Sequence, residues 1–348
     1  MRSTRDAPST PDGASDGDGS RALVERISQA FRDLSDEEIE ALVQSLNSLH
    51  EGELGVDMLV ACGRKAITPL QRFLLQGKRS GIFLPRQRAV RALAELGAKD
   101  VLLDYLTSEE HIVDPVAAHG EEAVRNTAAR ALGAWRTEDV FEALRHILQR
   151  KYLVGAIETL GEFRRPEAVP ELIQALEDDF CRSVAEDALR KAGELAHSAL
   201  VDAARTPDPS GSHERPQSQR RRRCALRLLE CLQLGNQDWC RVAALLHDRD
   251  PEVAARAGAI ALAVADRGNK ELAVERMIKV LPASDWLLQG EIQGWLEKHL
   301  DVALPSINEE IERRETAPAS IQMKDDVLRL LLAVRRKAQR GPDRERNS

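Results

Sequence analysis

The stretch EAVRNTAARALG (122–133) sets a pattern that recurs along the chain. With the closing Gly as reference, Ala stands five residues earlier at Ala92, Ala128, Ala156 and Ala188, ahead of Gly97, Gly133, Gly161 and Gly193. Leu93, Ala129, Ile157 and Leu189 stand four earlier, and Leu96, Leu132, Leu160 and Ala192 one earlier. Those offsets place small and apolar side chains on one stripe of a helix. The reference glycines recur at intervals of roughly 30–40 residues, the period of stacked helix pairs. A weaker copy ends at Gly63, with Met58 in the Ala place, and another shows at Ala257 and Ala261, with Leu262 in the Gly place. RRRCALRLLECLQLG (221–235) fills the room before that last copy. One helix pair cannot bury its own stripe, so this repetition demands a stack.

The second half of each unit repeats too. Ala66-Ile67-Thr68-Pro69-Leu70 and Ala168-Val169-Pro170-Glu171-Leu172 correspond, and VALPSINEEI (302–311) is similar. Pro suits the first turn of a helix, where its missing N–H is not needed. Gly suits the left-handed residue after a helix end. Each unit therefore reads as helix, turn at the Gly, second helix and loop. Before the repeats, Leu23, Ile27, Phe31 and Leu34 form a helical stripe, and Ser35 opens a capping box with Glu38.

Composition agrees. Of 348 residues 43% are hydrophobic and 31% charged, while aromatics make up 3%, so an Ala- and Leu-rich helical core is available. No alternating strand pattern stands out. The net charge of −7 offers no general attraction to nucleic acid or acidic membranes. Five cysteines make no disulfide framework, and Cys224 and Cys231 read as small core residues on one helix face. The first twenty residues lack the apolar run of a signal peptide, and AGAIALAVA (257–265) is half of a ~18-residue membrane span. A cytoplasmic protein without membrane insertion is expected.

ALEDDFCRSVAEDALRKAG (175–193) and ALLHDRDPEVAARAGAIALA (244–263) resemble HEAT repeats of the short bacterial type found in phycobilisome lyases. Asp178 or Asp179, and Asp248 or Asp250, match the acidic turn of those repeats, and Val124-Arg125 matches their Val-Arg pair. Val184 and Val253 are instead followed by Ala. The resemblance covers roughly residues 53–311, about seven or eight units. It implies that the Asp caps the next helix and the Arg bridges neighbouring units, a fold and not a reaction.

Two stretches break the rhythm: TSEEHIVDPVAAHGE (107–121) and TPDPSGSHERPQSQR (206–220). Interruptions of a regular array are where specificity is added, and of the two only the first holds apolar residues. It gathers Glu109, Glu110, His111, Asp114, His119, Glu121 and Glu122, yet their spacing fits no zinc pattern, so no metal is expected. The second runs into Arg220, Arg221, Arg222 and Arg223, a basic patch that could clamp phosphates or an acidic partner. Arg335, Arg336, Lys337 and Arg340 add a basic C-terminal stretch. Trp135, Trp239, Trp286 and Trp295 stand at helical positions and read as core.

Among helical-repeat enzymes, deoxyhypusine hydroxylase needs repeated His-Glu pairs in its helices, whereas this chain has one, His213-Glu214, in a Pro-rich loop. The HEAT-like alkylpurine DNA glycosylases combine aromatics with a basic groove, and here both are wanting. No nucleophile–base pair or phosphate loop appears, so no enzyme activity and no cofactor are expected.

The expected fold is all-α, a right-handed α-solenoid of HEAT-like helical hairpins. Residues 1–20 and 341–348 form tails, 21–52 an N-terminal cap, 53–311 the repeats and 312–340 a C-terminal capping helix with Val327, Leu328, Leu331 and Val334 inward. The expected function is a monomeric scaffold that binds a protein partner along its concave surface. Helix phase nominates Glu142, Arg145, His146, Gln149, Glu171, Gln174, Arg276 and Lys279 for that contact. The alternatives are a lyase- or chaperone-like factor acting on a cofactor-bearing protein, and nucleic-acid binding through Arg220–Arg223.

Overall fold

A computed structural model describes residues 29–340 apart from 32, 109–111, 211–212 and 233–234. The tails at 1–20 and 341–348, with Leu23 and Ile27, lie outside the described residues. The first full helix begins where its capping box is: Ser35 N–H donates to Glu38 Oε2 at 2.8 Å, and Glu38 N–H returns to Ser35 Oγ at 3.4 Å. Helices then follow one another through the chain, and the fold class is all-α.

Two compact units divide the chain, residues 1–147 and 148–348. The first contains α1 (Asp36–Ser45), α2 (Gly52–Ala61), α3 (Ile67–Gln76), α4 (Leu84–Glu95), α5 (Lys99–Thr107), α6 (Pro115–Leu132) and most of α7 (Glu138–Arg150). Within it α2, α4 and α6 stack side by side, with α3 packed on α4 and α5 on α6. The second holds α8 (Val154–Phe163), α9 (Val169–Ala175), α10 (Arg182–Ala192), α11 (His197–Arg205), α12 (Pro216–Cys231) and α13 (Asn236–Val242). It continues with α14 (Pro251–Val264), α15 (Arg267–Val280), α16 (Trp286–Lys298), α17 (Leu300–Glu315), α18 (Ala319–Gln322) and α19 (Asp326–Arg340). Here α8 packs on α10, α12 on α14 and α14 on α16, while α9 meets α11, and α15, α17 and α19 form the other layer. Each unit is thus two layers of helices with the core between them.

The repeated Ala positions are the contact points. Ala92, Ala128, Ala156 and Ala188 are all buried, so neighbouring helices approach over a methyl group. The glycines divide into two roles. Gly63, Gly97 and Gly193 have positive φ as expected after a helix end, whereas Gly133 follows α6 in a right-handed conformation with φ −59°. Gly97 closes a Schellman turn, its N–H on Ala94 O at 3.0 Å while Ala98 N–H reaches Leu93 O at 2.9 Å. Gly161 instead lies inside α8, which ends at the left-handed Arg164. A Cβ at Gly161 would stand 2.6 Å from Ala188 Cβ, so this glycine serves close approach of α8 and α10.

Other expectations change. Asp114 caps α6, accepting from Val116 and Ala117 N–H, so Pro115–Glu121 is helix and not loop. Pro216 starts α12, and Arg220–Arg223 therefore sit beyond its first turn. Pro209–Ser210 (β1) and His213–Glu214 (β2) pair antiparallel inside the presumed linker. Pro69 and Pro170 occupy first turns, whereas Pro305 lies inside α17. Cys224 is buried but Cys231, at the end of α12, is exposed. Trp239 is buried, Trp135 and Trp295 half-buried, and Trp286 82% exposed. In α19 Val327, Leu328, Leu331 and Val334 join one core with Ile307, Ile292 and Met277.

Gly161→Val should lower the urea midpoint by an overpacking cost of ~1–3 kcal/mol. Adding Ala188→Gly in the same chain should recover much of the loss, because the clash is between those two positions. Full stability of the single variant would contradict the close approach.

Candidate functional site

Arginines define the interior polar chemistry. Arg88 of α4 donates to Leu46 O at 2.9 Å and Ser48 O at 2.7 Å, beyond the end of α1. Arg86 reaches Leu74 O at 2.9 Å near the end of α3. Arg125, the Arg of the Val-Arg pair, donates to Leu106 O and Ser108 O where α5 stops. Arg222 donates to Ala204 O at 2.8 Å near the end of α11. Helix ends leave carbonyls without intrahelical partners, and each guanidinium supplies donors to them from a later helix.

In the first unit these arginines converge on a carboxylate. Glu121, buried in α6, takes Arg86, Arg79 at 3.3 Å, Arg125 at 3.4 Å and the Tyr105 hydroxyl at 2.7 Å. Arg86 and Arg125 also lie over the Tyr105 ring. Burial alone would raise the Glu121 pKa, but Arg86, Tyr105 and Arg79 together hold it below the ordinary value. Burial pushes the Tyr105 phenol up, which keeps it a donor. This is a buried clamp whose polar groups are turned on one another.

Just outside the clamp the surface turns apolar. The turn before α4 lies against the first turns of α6: a Cβ on Gly81 would be 2.6 Å from Val116 Cγ1, and Gly120 faces Ser80 O. Ile82 follows Gly81 in that turn and Val113 stands three residues before Val116, and the three side chains are exposed by 76%, 82% and 64%. Of the acidic and histidine residues gathered in this loop, Glu109, Glu110 and His111 lie outside the described residues. Asp114 is spent as a helix cap, Glu121 points inward and His119 is exposed.

In the second unit the arginine run is not a free basic patch. Arg220 meets Asp179 at 3.1 Å and also donates to Glu177 O, and Arg221 pairs with the Glu177 carboxylate. Arg222 is fully buried between Glu214, at 2.8 Å, and Asp248. Arg223 lies 2.7 Å from Asp250 and 3.4 Å from Glu252. Asp250 simultaneously caps α14 through Glu252 and Val253 N–H. The run thus joins α12 to the turns before α10 and α14 through internal ion pairs. A cavity of about 600 Å³ lies over this joint, with His213, His247 and Arg249 on its walls.

A second cavity of about 600 Å³ opens where the C-terminal halves of α12, α14 and α16 meet. Ile260, Ala263, Val264 and Trp295 make its apolar wall, and Glu230 its acidic one.

The residues nominated by helix phase are scattered. Glu142 and His146 are exposed, and Arg145 pairs with Glu142 at 3.1 Å while lying over the Phe141 ring. Gln149 donates to Glu171 Oε1 at 3.0 Å. Glu171 is only 7% exposed, which corrects its place among surface contacts. The 3₁₀ turn Pro166–Ala168 before α9 rotates the helix away from the phase that an unbroken α-helix would give. Gln174 and Lys279 are exposed and Arg276 is half-buried.

Glu121→Gln should cost ~3–5 kcal/mol near neutral pH, because it leaves buried guanidiniums unpaired. The lowered pKa means that the Glu121 contribution is complete above the ordinary value of 4.5 and fades as pH falls below it. The stability gap between wild type and variant should therefore narrow in acid. A gap independent of pH would show that Glu121 is not ionised in the fold.

No helix among the described residues is long and apolar enough to cross a membrane. No curated protein matches the chain. A family model described as HEAT repeats matches residues 110–190, a stretch that holds both Arg125, with its bridge to α5, and the Asp178 turn. Over that stretch the chain is similar to HEAT repeats.

Proposed function

We propose that the chain is a non-catalytic HEAT-like scaffold that binds a protein partner. The observation that supports this best is the cluster of Ile82, Val113 and Val116, large apolar side chains left in water beside a rigid buried clamp. Isolated exposed apolar residues are ordinary, but three held together by packed backbone form a contact patch. It lies at the first interruption of the repeat, which suits added specificity on a regular frame. The exposed Glu142, His146, Gln174 and Lys279 are further polar contact positions under the same reading. HEAT repeats commonly mediate protein interaction, and the narrower likeness to repeats of the phycobilisome-lyase type is part of the proposal, supported by the Asp-capped turns. The protein is proposed to act as a cytoplasmic monomer.

Two other readings have weaker support. Nucleic-acid binding at Arg220–Arg223 would need charges that already face Asp179, Glu177, Asp248 and Asp250. A lyase- or chaperone-like role would leave a chromophore absorbance on protein purified from its native cell.

Replacing Ile82, Val113 and Val116 each by Asp should leave the melting temperature nearly unchanged, since none is buried. Cross-linking capture from the native cell should lose its main partner by tenfold or more with the triple variant. Equal capture by wild type and variant would refute the patch.

A further inference from the structure

The groove at the ends of α12, α14 and α16 carries a charge imbalance that the fold itself does not resolve. Arg256, buried in α14, is shared by three carboxylates: Glu230 at 3.0 Å, Glu252 at 2.9 Å and Glu291 at 2.8 Å. Glu252 has further help from Arg223 at 3.4 Å and Arg227 at 3.6 Å. Among the described ion pairs Glu230 and Glu291 share the one Arg256 guanidinium, so two carboxylates divide a single positive charge. Of the two, Glu230 lines the cavity, facing Ile260, Ala263, Val264 and Trp295. Three helices end around the same opening, and helix C-termini favour cations.

The groove's own cations do not remove the imbalance. Lys298 also lines the cavity, at the C-terminal end of α16, but it is exposed to solvent and makes no ion pair with Glu230 among the described contacts. His299 is held below its ordinary pKa by burial and by Lys270 and Lys298, so it stays neutral at pH 7. Arg227 contacts Glu186 and Glu252 instead, each at 3.6 Å.

We propose that this groove binds a basic side chain of the protein partner, with its aliphatic stem along Ile260, Ala263 and Val264 and its charged head at Glu230. The inference rests on the protein-binding reading above and gives it a second anchor of stated chemistry. Long basic side chains suit such a place, because their stems bury against apolar surface while their heads seek a carboxylate.

The titration of Glu230 supports the charge argument. Burial raises its pKa to about 7, with Glu291 adding to the rise and Arg256 and Arg227 opposing it. An arriving cation would favour the ionised form, so binding would release a proton near neutral pH. Affinity should then grow roughly tenfold from pH 6 to pH 8 as the carboxylate becomes available.

The test uses the full chain and N-acetyl-lysine-N′-methylamide as probe, followed by the NMR signal of the Trp295 indole N–H, assigned with Trp295→Phe. Saturable perturbation by the lysine probe is expected, with weaker response to the norleucine amide, which keeps the aliphatic stem without the ammonium, and none to the glutamate amide. The affinity should weaken about tenfold in Glu230→Gln and lose its pH dependence there. Ala263→Trp, at an exposed wall position, should block the groove without disturbing the core, and serves if Glu230→Gln does not fold. Equal response to the lysine and norleucine probes, or preference for the glutamate probe, would overturn the proposal. If the lysine probe binds as described while no protein partner is captured from the cell, the groove stands and the scaffold reading falls. If a partner is captured equally by wild type and Ala263→Trp, the groove falls and the scaffold reading stands.

Discussion

Buried arginine is the interaction on which the stacking of this chain depends. Helices that end against one another leave carbonyl groups inside the protein, where water cannot reach them. Arg88, Arg86, Arg125 and Arg222 answer that need from a later helix in the chain. A charged group brought inside must in turn be neutralised, and so Glu121, Glu214 and Asp248 follow the arginines into the structure. Apolar stripes supply most of the driving force for packing, but they are nearly indifferent to register. The guanidiniums, with fixed fork geometry, set which turn meets which.

Much of the fold was legible because its signals are local. The capping box at Ser35 and Glu38 involves residues three apart, and the Ala positions of the first helices recur at a period that any stack must show. The glycines were half legible. Gly97 at a helix end and Gly161 inside one look alike in sequence, since both follow the same Ala-Leu stripe. Only the approach of Ala188, from the next helix of that layer, tells them apart.

The functional chemistry was less legible, for reasons of distance. Arg220–Arg223 read as a basic patch because their acids lie far along the chain on either side, in the turns before α10 and α14. Charge runs are read as surface when their partners are not adjacent, and here folding brings the partners in. Glu171 failed for a different reason: a 3₁₀ turn ahead of a short helix shifts the phase from which its exposure was inferred. The apolar residues of the first interruption did carry a usable signal, Val113 and Val116 standing where a solvated loop has little cause to place them. Ile82 had none, because its exposure follows from the turn that Gly81 lays on α6. Glu230 had none either, since three carboxylates around Arg256 come from three different helices.

Asp250 holds two duties at once, closing the first turn of α14 and receiving Arg223 from α12. A duplication or exchange that cut the gene at the loop between helix pairs would separate the aspartate from its arginine and strand both. A cut within α14 would carry the pair across together. The heritable module of such an array is therefore the joint between two hairpins, and the hairpin that the eye picks out is only the space between joints.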